Sequence, residues 1–125
     1  KIREIIKTHL SNNINIKLCE PLRYDSFISA MRLSRFIITD SGGIQEEAAA
    51  MGKPVLIARS VTERMELVLA GGAKLVSDDV SKIVKESVKL IVDEVEYMKM
   101  SKAGSIFGDG NASERIIEQV KKINV

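Results

Sequence analysis

Two short, unbroken apolar runs constrain this chain more than any other feature: Phe36-Ile37-Ile38-Thr39 and Pro54-Val55-Leu56-Ile57-Ala58. Runs of this length, bounded by charge or glycine, mark strands covered on both faces, as in a parallel sheet. Between them stands an alanine-rich segment, residues 44–51, of helical character, with Gly52 placed to end it. No tight-turn signal joins the two runs, so a hairpin is not expected. A strand that returns parallel needs a crossover, and a helix is there to make it. The expected fold class is α/β: a doubly wound parallel sheet of Rossmann-like type.

The rest of the chain extends this alternation. Ile2, Ile5, Ile6 and Leu10 predict an opening helix entered directly at Lys1, so residues 1–125 read as one domain cut from a longer protein. Ile14, Ile16 and Leu18 alternate with Asn15, Lys17 and Cys19, predicting a strand with one buried face and a buried, inert Cys19 thiol. A short helix from Tyr24 or Asp25 carries Phe27, Ile28, Met31 and Leu33. After the second apolar run come a polar loop (59–64), a short helix ending at Gly71-Gly72, and a fourth strand, Lys74-Leu75-Val76. A helix from Asp79 presents Val80, Ile83, Val84, Val88 and Ile91 as its apolar face. A second carries Tyr97, Met98 and Met100. A glycine-rich loop (104–110) then leads to a last helix with Ile116, Ile117, Val120 and Ile123. The five methionines read as core filling.

Composition removes several classes of function. Lys and Arg (19) nearly balance Asp and Glu (17), and a net charge of +2 is too weak to suggest nucleic acid or an anionic membrane as partner. No apolar run approaches the roughly 20 residues of a membrane span. A lone cysteine excludes an internal disulfide and fits a reducing compartment, so a cytoplasmic location is expected. His9, the single histidine, reads as a surface residue.

In open α/β sheets, ligands collect beyond the carboxyl ends of the strands. The loops expected there are 40–43, 59–64 and, less clearly, 20–25. Ser41 stands where a helix N-cap belongs, and Gly42 and Gly43 let a ligand approach the backbone closely. Free N–H groups at the head of the next helix would hold a phosphate or diphosphate without a lysine. The same three residues also suit a plain N-cap and tight turn. The loop has no Gly-Lys-Ser/Thr ending and no Gly-x-Gly-x-x-Gly, so ATP and nicotinamide cofactors lose support. Glu46 and Glu47 lie about 100° apart around the helix, so at most one can face the ligand. Its task there would be to accept hydrogen bonds from ribose hydroxyls. The alternative is a pair of solvated first-turn acids favoured by the helix dipole, which suits Glu46 better.

At greater length the string becomes specific. Thr39-Asp40-Ser41-Gly42-Gly43-Ile44-Gln45-Glu46-Glu47-Ala48, then Gly52-Lys53-Pro54-Val55-Leu56, resembles the non-hydrolysing UDP-N-acetylglucosamine 2-epimerases. Glu20-Pro21-Leu22 with Phe27, Thr62-Glu63-Arg64 with Glu66, and Gly108-Asp109-Gly110 with Ala112 and Arg115-Ile116 continue the resemblance in register. Met65 departs from the proline usual after Thr-Glu-Arg, as do Ala49-Ala50 and residues 105–107 from the commoner residues at those places.

The resemblance implies the second domain of a glycosyltransferase-B (GT-B) type enzyme, made of two Rossmann-type domains closing on a nucleotide sugar. It implies that Ser41, Gly42 and Gly43 bind the UDP diphosphate and Glu47 the ribose. Phe27 would lie near uracil, unless it is an ordinary core residue. Arg64 would lie near the phosphates or the domain cleft, unless it is only a solvated loop cation. Asp109 fits a turn residue better than a catalytic one.

The implied reaction interconverts UDP-N-acetylglucosamine and UDP-N-acetylmannosamine by eliminating UDP and adding it back, without metal or nicotinamide, for cell-surface polysaccharide. The catalytic carboxylates and histidine would belong to an amino-terminal domain, leaving no catalytic residue here. A homodimer is expected of the full-length protein. Alternatives are a hydrolysing 2-epimerase, a related GT-B transferase, or a non-enzymatic nucleotide-sugar sensor.

Overall fold

The computed structural model describes residues 2–103 and 106–123; Gly104 and Ser105 of the expected glycine-rich loop lie outside the described residues. The chain divides into two compact units, one running to Ala30 and the other from Met31 onward.

The first unit opens with α1 (Ile2–Leu10), as its periodicity predicts, and contains the start of α2 (Tyr24–Leu33). His9 is exposed, as expected, its Nδ1 within 2.8 Å of the Ile5 carbonyl. The predicted strand at 14–19 does not form: these residues belong to no described strand, and Ile14 is 98% exposed. The reason is local. Asn13 captures the N–H groups a ladder would need, accepting from Asn15 N–H on its side chain (3.0 Å) and from Ile16 N–H on its carbonyl (3.0 Å). Cys19 is accordingly an exposed thiol and not the buried one expected.

The second unit is the α/β body. Its strands are β1 (Ile37–Thr39), β2 (Val55–Ile57) and β3 (Ala73–Leu75), paired in parallel in the order β1-β2-β3. The helices are α3 (Gly42–Ala50), α4 (Met65–Leu69), α5 (Val80–Val92), α6 (Glu94–Lys102) and α7 (Ala112–Ile123). The central strand is what the apolar run promised, with Val55, Leu56 and Ile57 all at zero exposure. Alternation sends Leu56 to one face, where it joins Val76, Leu90 of α5 and Met100 of α6, with Phe36 and Ile83 packed alongside. Helix α3 packs on β1 and β2 and buries Ala48 and Ala49, while α4 packs on β3 through Leu67. The sheet is thus wound on both faces. Gly52, at φ +64°, ends α3 as expected. Gly72 is required where Leu67 crosses it, because a Cβ there would stand 2.7 Å from Leu67 Cδ1.

Other expectations need correction. Ile38 is 46% exposed although its run reads as fully buried. β1 is the outer strand of the described sheet, and α5 and α6 cover Leu56 without covering Ile38. The inward face of α5 centres on Leu90 and Ile83, leaving Val80, Val84, Val88 and Ile91 exposed. Helix α7 buries no residue among its described positions. Of the methionines, Met31 and Met100 fill the core, but Met65 and Met98 are exposed. No described helix is long and apolar enough to cross a membrane.

Polar contacts fasten the outer elements. Arg35 donates from Nε to the Leu90 carbonyl (2.9 Å), pairs with Glu94 and lies over the Tyr97 ring. At β3, Lys74 Nζ reaches Glu86 (2.7 Å) and Glu96 (2.6 Å), and Lys89 lies 3.5 Å from Glu96. Burial pulls the Lys74 ammonium down, but its hydrogen bonds to the two carboxylates outweigh that and hold it above its ordinary value. The hydrogen bond from Lys74 holds both Glu86 and Glu96 below the usual carboxylate range, against the opposing effect of burial.

Two expectations follow. Replacing Leu56 by Ala should cost about 3 kcal/mol in urea unfolding, through lost transfer energy and an unfilled cavity, whereas Leu69→Ala, at an 82% exposed site, should change it by less than about 0.5 kcal/mol. The Lys74 cluster also sets a pH window. The lowered Glu86 and Glu96 contribute fully above their unfolded values, near pH 4.3, and that contribution is lost as pH falls through their folded ones. The raised Lys74 contributes below about pH 10.4 and is lost as pH rises through its folded value. In urea titrations between pH 6 and 3, Lys74→Met should therefore lose stability less steeply with acid than wild type.

Candidate functional site

The site begins at the carboxyl end of β1. Thr39 is buried there, and its Oγ1 accepts the Ser41 N–H at 3.1 Å, turning the chain sharply out of the strand. Ser41 then takes extended backbone angles (φ −88°, ψ 127°) as the N-cap of α3, as its position in the sequence predicts. Its hydroxyl makes no capping hydrogen bond. The backbone alone starts the helix, with Gln45 N–H donating to the Ser41 carbonyl at 3.2 Å. The N–H groups of the first turn have no partner within the helix by its geometry, and the positive end of the helix dipole lies behind them.

The fold itself makes no steric demand for glycine at Gly42 or Gly43. A Cβ on Gly43 would meet nothing within 4 Å, so the surface above it is open. A Cβ on Gly42 would lie 3.9 Å from the Glu63 carboxylate. That carboxylate opposes an incoming anion, but its side chain is 71% exposed and pairs only loosely with Arg59 (3.5 Å), so it is free to swing aside.

The parallel register brings a second loop to the same edge. Thr39 pairs with Ile57, and Ala58 N–H continues the ladder to the Thr39 carbonyl at 2.9 Å. The loop after β2 is therefore held against α3 by side chains. Thr62 donates its hydroxyl to Gln45 Oε1 at 2.7 Å, and both residues are buried. The Thr62 oxygen accepts the Arg64 N–H at 3.1 Å. The Arg64 guanidinium donates from Nε to Glu46 Oε1. Alongside, a polar notch of about 370 Å³ lined by Arg59, Ser60, Glu63, Ser77 and Asp78 opens at the ends of β2 and β3. Ser77 adopts the left-handed region there (φ 55°).

Five of the six residues singled out in the sequence thus belong to one unit. Ser41, Gly42, Gly43 and Glu47 lie in or beside the first two turns of α3, and Arg64 is tied to them through Glu46. Phe27, half-buried on α2, belongs to the other unit. Glu46 is not merely solvated, since it holds Arg64. The half-buried Glu47 carboxylate has no side-chain partner among the described residues, which leaves its oxygens open to a ligand's hydroxyls. Asp109 acts as a turn residue, accepting from Asn111 N–H at 3.1 Å and pairing with Arg115. The Arg115 guanidinium holds its carboxyl below the usual range. No group of three or more His, Cys, Asp or Glu among the described residues is placed to hold a metal.

Sequence reasoning missed Gln45. The signal was present: Gln45 shares the i, i+3, i+4 face with Ala48 and Ala49, a buried stripe on which a polar side chain needs a partner.

Comparison with known proteins bears on the chain's family and fold. The sequence model of the UDP-N-acetylglucosamine 2-epimerase family matches residues 1–121. A UDP-N-acetylglucosamine 2-epimerase of Campylobacter jejuni is 53% identical over 116 residues, which cover 93% of this chain and 30% of that protein. The structure of S. aureus MnaA with UDP superposes with a TM-score of 0.88 at 44% identity, over 98% of this chain and 33% of MnaA. UDP-GlcNAc 2-epimerase from Neisseria meningitidis, bound to UDP-GlcNAc, gives 0.87 at 43% identity, over 97% and 33%. The chain therefore spans about a third of the length of these relatives.

The open surface above Gly43 has a testable consequence. Gly43→Ala should raise stability by about 0.5 kcal/mol, because alanine loses less backbone entropy in a helix and meets no obstacle here. A shift of the urea midpoint to higher concentration would show it.

Proposed function

The chain belongs to the UDP-N-acetylglucosamine 2-epimerase family, and from that premise we propose that it supplies the carboxy-terminal, UDP-binding domain of such an enzyme. One observation carries the reading: the first turn of α3 has no side-chain cap, and the backbone amides of Gly42 and Gly43 stand at its open head. A diphosphate matches that arrangement in charge, and the glycines let it approach to hydrogen-bonding distance. The unpartnered Glu47 suits the ribose hydroxyls. Arg64, paired with Glu46, adds guanidinium N–H donors beside the phosphates. The fold is the parallel α/β type of the GT-B 2-epimerases that it superposes on.

In this reading the domain serves the interconversion of UDP-N-acetylglucosamine and UDP-N-acetylmannosamine. Breaking the anomeric carbon–oxygen bond leaves negative charge growing on the diphosphate. Amides already aimed at that charge stabilise it more in the transition state than in the substrate. They then keep UDP in place until it adds back to the glycal. The groups that move the proton at carbon 2 belong to the two thirds of the relatives that this chain does not span. The complete enzyme acts as a cytoplasmic homodimer, and this chain alone turns nothing over.

Titration of the labelled chain with UDP should shift backbone amide signals between residues 40 and 47, with a Kd on the order of 1 mM. Gly43→Ala, folded and no less stable, should bind at least about tenfold more weakly, because its Cβ obstructs the approach. A folded wild type whose signals in this stretch stay unmoved by UDP would sink the reading.

A further inference from the structure

We propose that Gln45 and Thr62 are positioning residues that fix Arg64 over the first turn of α3 before any ligand arrives; the inference rests on the diphosphate reading above. Gln45 is fully buried, and its Nε2 has no hydrogen-bond partner among the described residues. A buried amide nitrogen left unpaired is costly, and an apolar side chain of the same size would avoid that cost. The other end of the amide shows what offsets it. Gln45 Oε1 accepts the Thr62 hydroxyl, and the same hydroxyl oxygen accepts the Arg64 N–H. Glu46, the next residue, takes the Arg64 Nε. Adjacent residues of α3 thus hold Arg64 twice, Gln45 through Thr62 at its backbone and Glu46 directly at its guanidinium.

The grip matters because arginine is long and loses much rotamer freedom when ordered. A guanidinium ordered in advance costs less to use when the anion binds. Thr62 is the joint of the arrangement, being at once donor to α3 and acceptor for the residue that must be placed. Its γ-methyl contributes packing only, so serine keeps the joint and valine removes it.

The test compares wild type, Thr62→Ser, Thr62→Val and the double variant Gln45→Met/Thr62→Val by UDP titration, urea unfolding and the ¹⁵N signal of Arg64 Nε. Replacing both buried partners by apolar groups of similar shape is expected to leave stability near wild type, so the double variant keeps the test readable if Thr62→Val folds poorly. The expected result is about a tenfold weaker UDP affinity in Thr62→Val and in the double variant, with affinity kept within about twofold in Thr62→Ser. The Arg64 Nε–H signal should be protected in wild type and Thr62→Ser and exchange rapidly in the other two.

A merely structural role would make affinity follow stability across the set, and the stable double variant would then bind as wild type does. That result, or a fully protected Arg64 Nε–H in the double variant, overturns the proposal while leaving the diphosphate site standing. A folded wild type that does not bind UDP overturns both.

Discussion

The parallel pairing of Thr39 with Ile57 is the constraint on which the rest of the site depends. Because the two strands run the same way and end level, the turn into α3 and the loop after β2 leave from one edge of the sheet. An antiparallel pair would send those connections to opposite edges, and Gln45 could not reach Thr62 across 17 residues of sequence. The register is itself secured by the completely buried β2, whose alternate side chains meet helices on both faces. A slip of one residue would exchange Leu56 with its neighbours and break both halves of the core. Apolar packing thereby sets the position of a site whose named donors and acceptors are all polar.

From that edge outward the forces change character. The body is held by Leu56, Val76, Leu90 and Met100, whereas the loop carrying Arg64 is held by a buried hydrogen bond and an ion pair. Hydrogen bonds and ion pairs at partly exposed positions contribute modestly to stability but strongly to direction. A loop fastened in this way can be definite in place without being as rigid as the strands, which suits a segment beside a ligand that must enter and leave.

What the residues disclose in advance follows the same division. The unit β1-α3-β2 was legible because two continuous apolar runs and a stop glycine admit few other folds, and Gly52 takes the positive φ its place demands. The segment 14–19 was misread because alternation reports which face could be buried and says nothing of a partner strand, and Asn13 captures the first free N–H groups locally. The face of α5 was legible only in part: Ile83 packs inward as expected, but a stripe of valines is apolar wherever it points, and the tertiary context buries Leu90 and leaves the valines exposed. At the proposed site, local chemistry pointed to Ser41, Gly42, Gly43 and Glu47 only as candidates, and the resemblance supplied their implied roles. The link from Arg64 to Glu46 could not be found, because nothing in a linear string reports which loop the register will lay beside which helix.

That link alters the electrostatic argument for the site. Arg64, paired with Glu46 of α3, brings little net charge, so what it offers an anion is directed N–H donors and not a free cation. What remains is the set of oriented amides at the head of α3, whose partial charges are fixed by the helix and do not titrate. Such donors keep their direction whether or not an anion is present, whereas the dipoles of water must turn to face one. The pairing of Arg64 with Glu46 thus leaves a directed, moderate field at the head of α3.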